Sequence, residues 1–142
     1  MLEPIADEAN GLQCGVFFTG AYDTMNVFRA KLPTLATDQI FGMVYHNIQR
    51  VLTWNDTSKA FMYPRGEIVS GLNEGDAYGW SETVCNPGEA VYQRIAAGTA
   101  PLTRLGAFAN AAGAGLMLIP GTRFISKNTV PGQCIVAIQD TF

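Results

Sequence analysis

Apolar and polar positions alternate along short stretches of this chain, and glycine or proline interrupts them every eight to twelve residues. A period of two places alternate side chains on opposite faces of an extended strand, so the pattern predicts short strands between turns. Residues 12–18 form the first such stretch, with Leu12, Cys14, Val16 and Phe18 on one face. Residues 24–30 are a weaker strand. Residues 40–46 are apolar on both faces, through Ile40 and Val44 against Phe41, Met43 and Tyr45, which predicts cover on both sides. A short strand or loop edge at 50–54 runs into a turn at 55–58, and another short strand at 68–70 precedes a turn at 71–75.

Residues 77–85 alternate well. Tyr78, Trp80, Glu82 and Val84 share one face, and Ala77, Gly79, Ser81, Thr83 and Cys85 share the other. The small face suits close approach of a neighbouring backbone, or a bulge at the glycine. Asn86-Pro87-Gly88 is a turn, and 89–95 is the next strand, so the pair is expected as a β-hairpin. Within the Ala/Gly-rich stretch 96–115, Ala107 to Ala112 has helix propensity. Gly106 and Gly113 bracket it too closely, and the preferred reading is a loop with a short strand near 105–109. Residues 116–119 are apolar, Pro120-Gly121 is expected to turn, and 122–127 and 133–139 are the final strands. The last of these puts Cys134, Val136 and Ile138 on the core side. The expected fold is all-β, a small antiparallel β-barrel or sandwich with long loops and an extended N-terminal arm. Residues 1–11 are expected to be the arm and 12–142 a single domain.

Charge changes the picture. Only 15% of the 142 residues are charged, against roughly 25% in a typical globular chain. Either the surface is polar and uncharged, or other protein covers part of it. From Glu67 to Glu89 there are five acids and no base, and after Glu89 four bases and one acid. That asymmetry fits a solvated acidic face or complementary patches between subunits. The bases are scattered without a cluster to neutralise phosphates, so no nucleic-acid partner is expected. No stretch of 18 apolar residues exists to span a membrane. The first ten residues carry three acids and no base, unlike a secretory leader.

Candidate chemistry is sparse. Cys14, Cys85 and Cys134 are far apart, match no zinc spacing, and read as buried thiols. His46 is the only histidine and reads as a half-exposed residue at a strand end. Asp7 with Glu8, and Glu74 with Asp76, are acidic neighbours outside any catalytic or calcium-loop motif. No GxSxG elbow surrounds a serine, and Gly113-Ala114-Gly115 lacks the continuation of a phosphate loop. No catalytic residue, cofactor or metal is therefore expected. The aromatic residues Trp54, Trp80, Tyr22, Tyr45, Tyr63, Tyr78 and Tyr92 fit a core, a subunit interface, or a groove for sugar or peptide.

An ordered set of pieces in the C-terminal half carries a resemblance. They are Gly75-Asp76-Ala77-Tyr78-Gly79-Trp80, then Pro87-Gly88-Glu89-Ala90-Val91-Tyr92, then Arg104-Leu105-Gly106-Ala107-Phe108. Ile119-Pro120-Gly121-Thr122-Arg123-Phe124 follows, and Pro131-Gly132-Gln133-Cys134-Ile135-Val136-Ala137-Ile138 ends the series. In order and spacing they resemble the capsid decoration, or structural cement, proteins of tailed bacteriophages. Residues 39–44 look like an earlier strand of that family, while 1–38 and 50–64 are not matched. The resemblance implies a β-barrel-like virion protein made in the host cytoplasm. It would bind the major capsid protein on the outside of the shell, as a homotrimer, and reinforce the head. Tyr78, Trp80, Tyr92 and Phe124 are the candidate fold or trimer-interface residues. Two other readings stay open: a carbohydrate- or receptor-binding module of a virion surface protein, resting on the adjacent aromatics, and a small hydrolase using His46 or an acidic pair.

Overall fold

The computed structural model describes residues 4–47, 49, 52–55 and 60–139. Every regular element among them is a strand. The N-terminal half supplies β1 (Ile5–Ala6), β2 (Leu12–Gln13), β3 (Phe17–Tyr22), β4 (Phe28–Lys31), β5 (Gly42–Val44), β6 (Thr53–Asn55), β7 (Ala60–Tyr63) and β8 (Gly71–Leu72). Five of these form a sheet in the order β1-β4-β3-β5-β8, and β2-β7-β6 form a second, three-stranded sheet. The C-terminal half supplies β9 (Gly75–Ser81), β10 (Ala90–Arg94), β11 (Phe108–Ala109), β12 (Leu116–Phe124) and β13 (Gly132–Ile138). These close into a barrel in the order β10-β11-β9-β13-β12, sealed by antiparallel pairing of β10 with β12. Closure removes the unpaired edges that an open sheet would expose.

The hydrophobic alternation explains the interior. Cys134, Val136 and Ile138 point inward from β13, as their period of two requires, and join Val91, Phe108, Met117, Ile119 and Phe124 in one core cluster. A second cluster, with Leu12, Val16, Phe18, Phe28, Val44 and Tyr63, fills the N-terminal half. Phe17 belongs to the barrel cluster although it lies between two residues of the other. Its ring packs 5.7 Å from that of Phe108, and its backbone is clamped by a buried side chain. Phe17 N–H donates to Gln93 Oε1 at 2.7 Å, and Gln93 Nε2 donates to the Phe17 carbonyl at 3.0 Å. The Phe17–Phe108 contact and these two buried hydrogen bonds help join the halves, together with Ile40 and Met43, which also pack in the barrel cluster.

Several expectations change. Residues 4–11 do not extend as an arm: Ile5–Ala6 pairs in parallel with β4, Ala6 is fully buried, and Glu8 accepts a hydrogen bond from Leu32 N–H. The cause is that Ala6 and Pro4 have backbone partners, in Glu67 O and Val69 N. The stretch 12–18 keeps its predicted buried face but breaks at Gly15, whose φ of +86° turns the chain between β2 and β3. The Pro87-Gly88 turn forms, yet β9 and β10 do not pair across it, because β11 lies between them in the barrel. Pro120-Gly121 is not a turn but an irregularity inside β12. The register with β10 jumps from Ala90↔Arg123 to Tyr92↔Leu118, leaving extra residues on β12. Strand β7 was not expected, and the turn foreseen at 55–58 falls outside the described residues beyond Asn55.

Candidate functional site

The outer face of β9 and the β5–β7 region border one groove of about 640 Å³. Period two puts Asp76, Tyr78 and Trp80 on the same outward face of β9, and all three line the groove. The opposite, small face turns inward. A Cβ on Gly79 would overlap the Phe108 ring, which is why this strand alternates aromatic with small residues. Opposite β9, Trp54 of β6 meets Phe61 of β7 edge-on at 5.1 Å, and His46 stacks on Phe61 at 4.7 Å. These strands pair in register, Trp54 against Phe61, which fixes the cross-strand contact. The groove is therefore aromatic on both sides. Trp54 and Tyr78 are 53% and 62% exposed, far more than core aromatics would be.

Polar groups are few. Gln13, Asp76 and Gln133 line the groove, with Arg104 beside them. The Arg104 guanidinium carbon lies 4.8 Å from the centre of the Trp80 ring, a cation–π contact. Its Nε is buried with no hydrogen-bond partner, and burial pulls the group below its ordinary pKa. Cys14 also lines the groove, but burial pushes its thiol up to about 12, so it stays protonated and a poor nucleophile.

The four residues proposed from the sequence separate. Phe124 is fully buried in the barrel core. Tyr92 is half-buried, paired with Leu118 and Ala109. Tyr78 and Trp80 alone face the groove. Of the other aromatics named, Tyr63 is a core residue whose hydroxyl donates to the Tyr45 carbonyl at 2.7 Å, and Tyr22 packs on Phe28 at the β3–β4 hairpin. Sequence reasoning missed Phe61 and Arg104. They come from distant segments, and no local spacing announces that they meet.

One of the five acids between Glu67 and Glu89 leaves the surface. Glu82 is paired with Arg94 at 2.7 Å, with 8% and 5% of their side chains exposed. Burial and the fork of three guanidinium–carboxylate hydrogen bonds make this a structural ion pair. Asp7 pairs with Arg65, and Glu8 caps Leu32, so those neighbours do not act together. His46 is exposed against Phe61. Among the described residues no three His, Cys, Asp or Glu side chains gather as a metal site.

The model of the family described as "Structural cement protein (E217 gp24/Pam3 gp6)" matches residues 2–139. The chain belongs to the phage structural cement proteins. A chain in the solved capsid of Myoviridae Phage XM1 has the same fold, with a TM-score of 0.65 and 18% identity, covering 97% of this chain and 81% of that one. No curated protein matches significantly. This cement protein is all-β, and its role is structural: it decorates and stabilises a phage capsid. The match reaches into residues 2–38 and 50–64, where the sequence pieces alone had not extended.

Proposed function

We propose that the protein binds the outer face of the major capsid protein lattice as a homotrimer, and that its subunits clamp neighbouring capsid proteins against internal pressure. Membership of the cement family carries this reading. The surface supports it. At one end of the barrel, Cys85 and Asn128 exchange backbone hydrogen bonds and bring two loops together. These loops present Val84, Ile125 and Val130, which are 51%, 42% and 66% exposed. Exposed apolar side chains on loops held together at one end of the barrel suit contact with other protein. Each contact is modest, and a trimer engaging several capsid subunits multiplies them through effective concentration. Cyclic symmetry would bury the same patch in each copy. Tyr92 and Phe124 serve the fold in this reading. The binding is non-catalytic, uses no cofactor, and involves neither nucleic acid nor membrane. The protein is made in the host cytoplasm and ends on the virion.

Undecorated capsids of the parent virus, mixed with purified protein, are expected to show saturable binding with icosahedral occupancy by electron microscopy. Light scattering of the free protein reports whether trimers form before docking. Absence of binding to that shell under assembly conditions would sink the proposal. Val84→Asp with Val130→Asp is expected to weaken capsid binding at least tenfold while leaving the fold intact, because both side chains are exposed.

A further inference from the structure

The groove between β9 and the β6–β7 ribbon is not needed for the capsid contact proposed above, and its chemistry is unlike that of the barrel-end patch. Exposed rings stand on both sides of it: Trp54 and Phe61 on one, Tyr78 and Trp80 on the other. Aromatic faces left open to solvent in a concave site hold flat, partly apolar ligands, while a few polar groups fix orientation. The polar groups here are planar hydrogen-bonding side chains, Gln13, Gln133, Asp76 and Arg104, which suit paired hydroxyls. The volume, about 640 Å³, lies in the range of small-ligand sites.

Arg104 decides the ligand's charge. Its Nε is buried and unpartnered, and no ion pair joins it to a carboxylate among the described residues. The rest of the guanidinium lines the groove, so its positive charge there is open to an anionic partner. A ligand carboxylate pairs with that exposed part of the guanidinium, which binds carboxylate through two parallel bonds. Asp76, exposed on the β9 face, is left to accept hydroxyls.

We infer that this groove binds an acidic oligosaccharide, with sugar rings stacked on Trp54, Tyr78 and Trp80 and a uronate-type carboxylate held by Arg104. A decorated head would then carry many weak glycan sites, and repetition over the shell would convert them into avid attachment to an acidic polysaccharide surface.

The molecule provides its own probe. Both of its tryptophans, Trp54 and Trp80, line the groove, so intrinsic fluorescence reads its occupancy without a label. The free full-length protein is titrated with alginate oligosaccharides as the acidic arm and malto-oligosaccharides as the neutral arm. Saturable change with the acidic arm, weakened by salt and at least tenfold tighter than the neutral arm, is the expected result. Arg104→Gln is expected to abolish that preference, and Arg104→Lys to retain part of it. Trp54→Ala, an exposed position, is expected to weaken binding at least tenfold, with circular dichroism and melting unchanged. No saturable response to the acidic arm overturns the inference, as does equal binding of the neutral arm or unaltered binding by the variants. If Trp54→Ala instead abolishes capsid binding, the groove is a protein interface and the inference fails. The saccharide titration uses free protein, so its result is independent of whether the capsid reading stands.

Discussion

At the scale of single residues, stability concentrates where polar groups are buried and fully engaged. Gln93 has no solvent exposure, and its amide serves both backbone groups of Phe17. Gln93→Leu removes both hydrogen bonds from the seam between the halves. The expected loss is about 2–4 kcal/mol, read from denaturant unfolding, since each buried group deprived of its bond costs about 1–3 kcal/mol. Glu82→Gln leaves the buried Arg94 charge uncompensated, with an expected cost of about 3–5 kcal/mol. Gly79→Ala drives a methyl into the Phe108 ring and is expected to cost at least about 1–3 kcal/mol in the same assay. A conserved melting temperature in Gly79→Ala would mean that Phe108 moves freely, contrary to its fully buried position.

The charge that responds to pH sits in a turn. Asp23 accepts hydrogen bonds from Val27 N–H, Met25 N–H and Arg29 Nε, which hold its carboxyl below the usual carboxylate range. A depressed folded pKa stabilises the protein fully above the unfolded value of about 3.9 and loses that contribution as pH falls through the folded value. Asp38 and Glu89 are lowered in the same direction by turn amides and by Asn110 with Asn86, respectively. Melting temperature is therefore expected to fall on acidification below about pH 4, and Asp23→Asn is expected to reduce the size of that fall. An identical acid dependence in Asp23→Asn would show that the turn contributes nothing to it.

At the scale of elements, β13 holds the barrel shut. It pairs with β9 along its whole length and with β12 on the other side, and it buries Cys134, Val136 and Ile138. Ending the chain after residue 131 removes these side chains and unpairs two strands at once. Such a chain is expected to lack a cooperative unfolding transition by circular dichroism. The irregularity at Pro120-Gly121 plays a different part. Proline cannot donate to a ladder, and Gly121 adopts a φ of +61°, so the strand bends here without ending. Gly121→Val is expected to destabilise the barrel, because a β-branched residue is strained at that φ, with the effect measured as a lower melting temperature.

For the whole molecule, the barrel's core cluster takes in Phe17, Ile40 and Met43 from the N-terminal half, and the aromatic groove is lined by residues of both halves. If decoration stabilises the capsid through the protein's own rigidity as well as its contacts, the seam between the halves carries load. Weakening the seam is therefore expected to weaken the particle. Capsids decorated with the Gln93→Leu protein are expected to rupture at a lower temperature than those carrying the native chain, at equal occupancy by electron microscopy. Equal rupture temperatures would show that only the contact surface matters.

The sequence alone determined the strand-only class, the inward faces of the last strands and the absence of any recognisable catalytic motif. Each of these depends on local alternation or on residues adjacent in the chain. It also placed Tyr78 and Trp80 on one shared face, since period two acts within a strand, while only the fold turned that face outward. The tertiary structure decided what meets across the chain. Insertion of β11 between β9 and β10 cancelled the expected hairpin, and pairing of Ile5–Ala6 with β4 drew the supposed arm into a sheet. Burial turned Glu82 from a surface acid into the partner of Arg94, and brought Arg104 over Trp80. Strand partnership and ion pairing depend on residues dozens of positions apart, and a one-dimensional pattern holds no distance between them until the chain closes on itself.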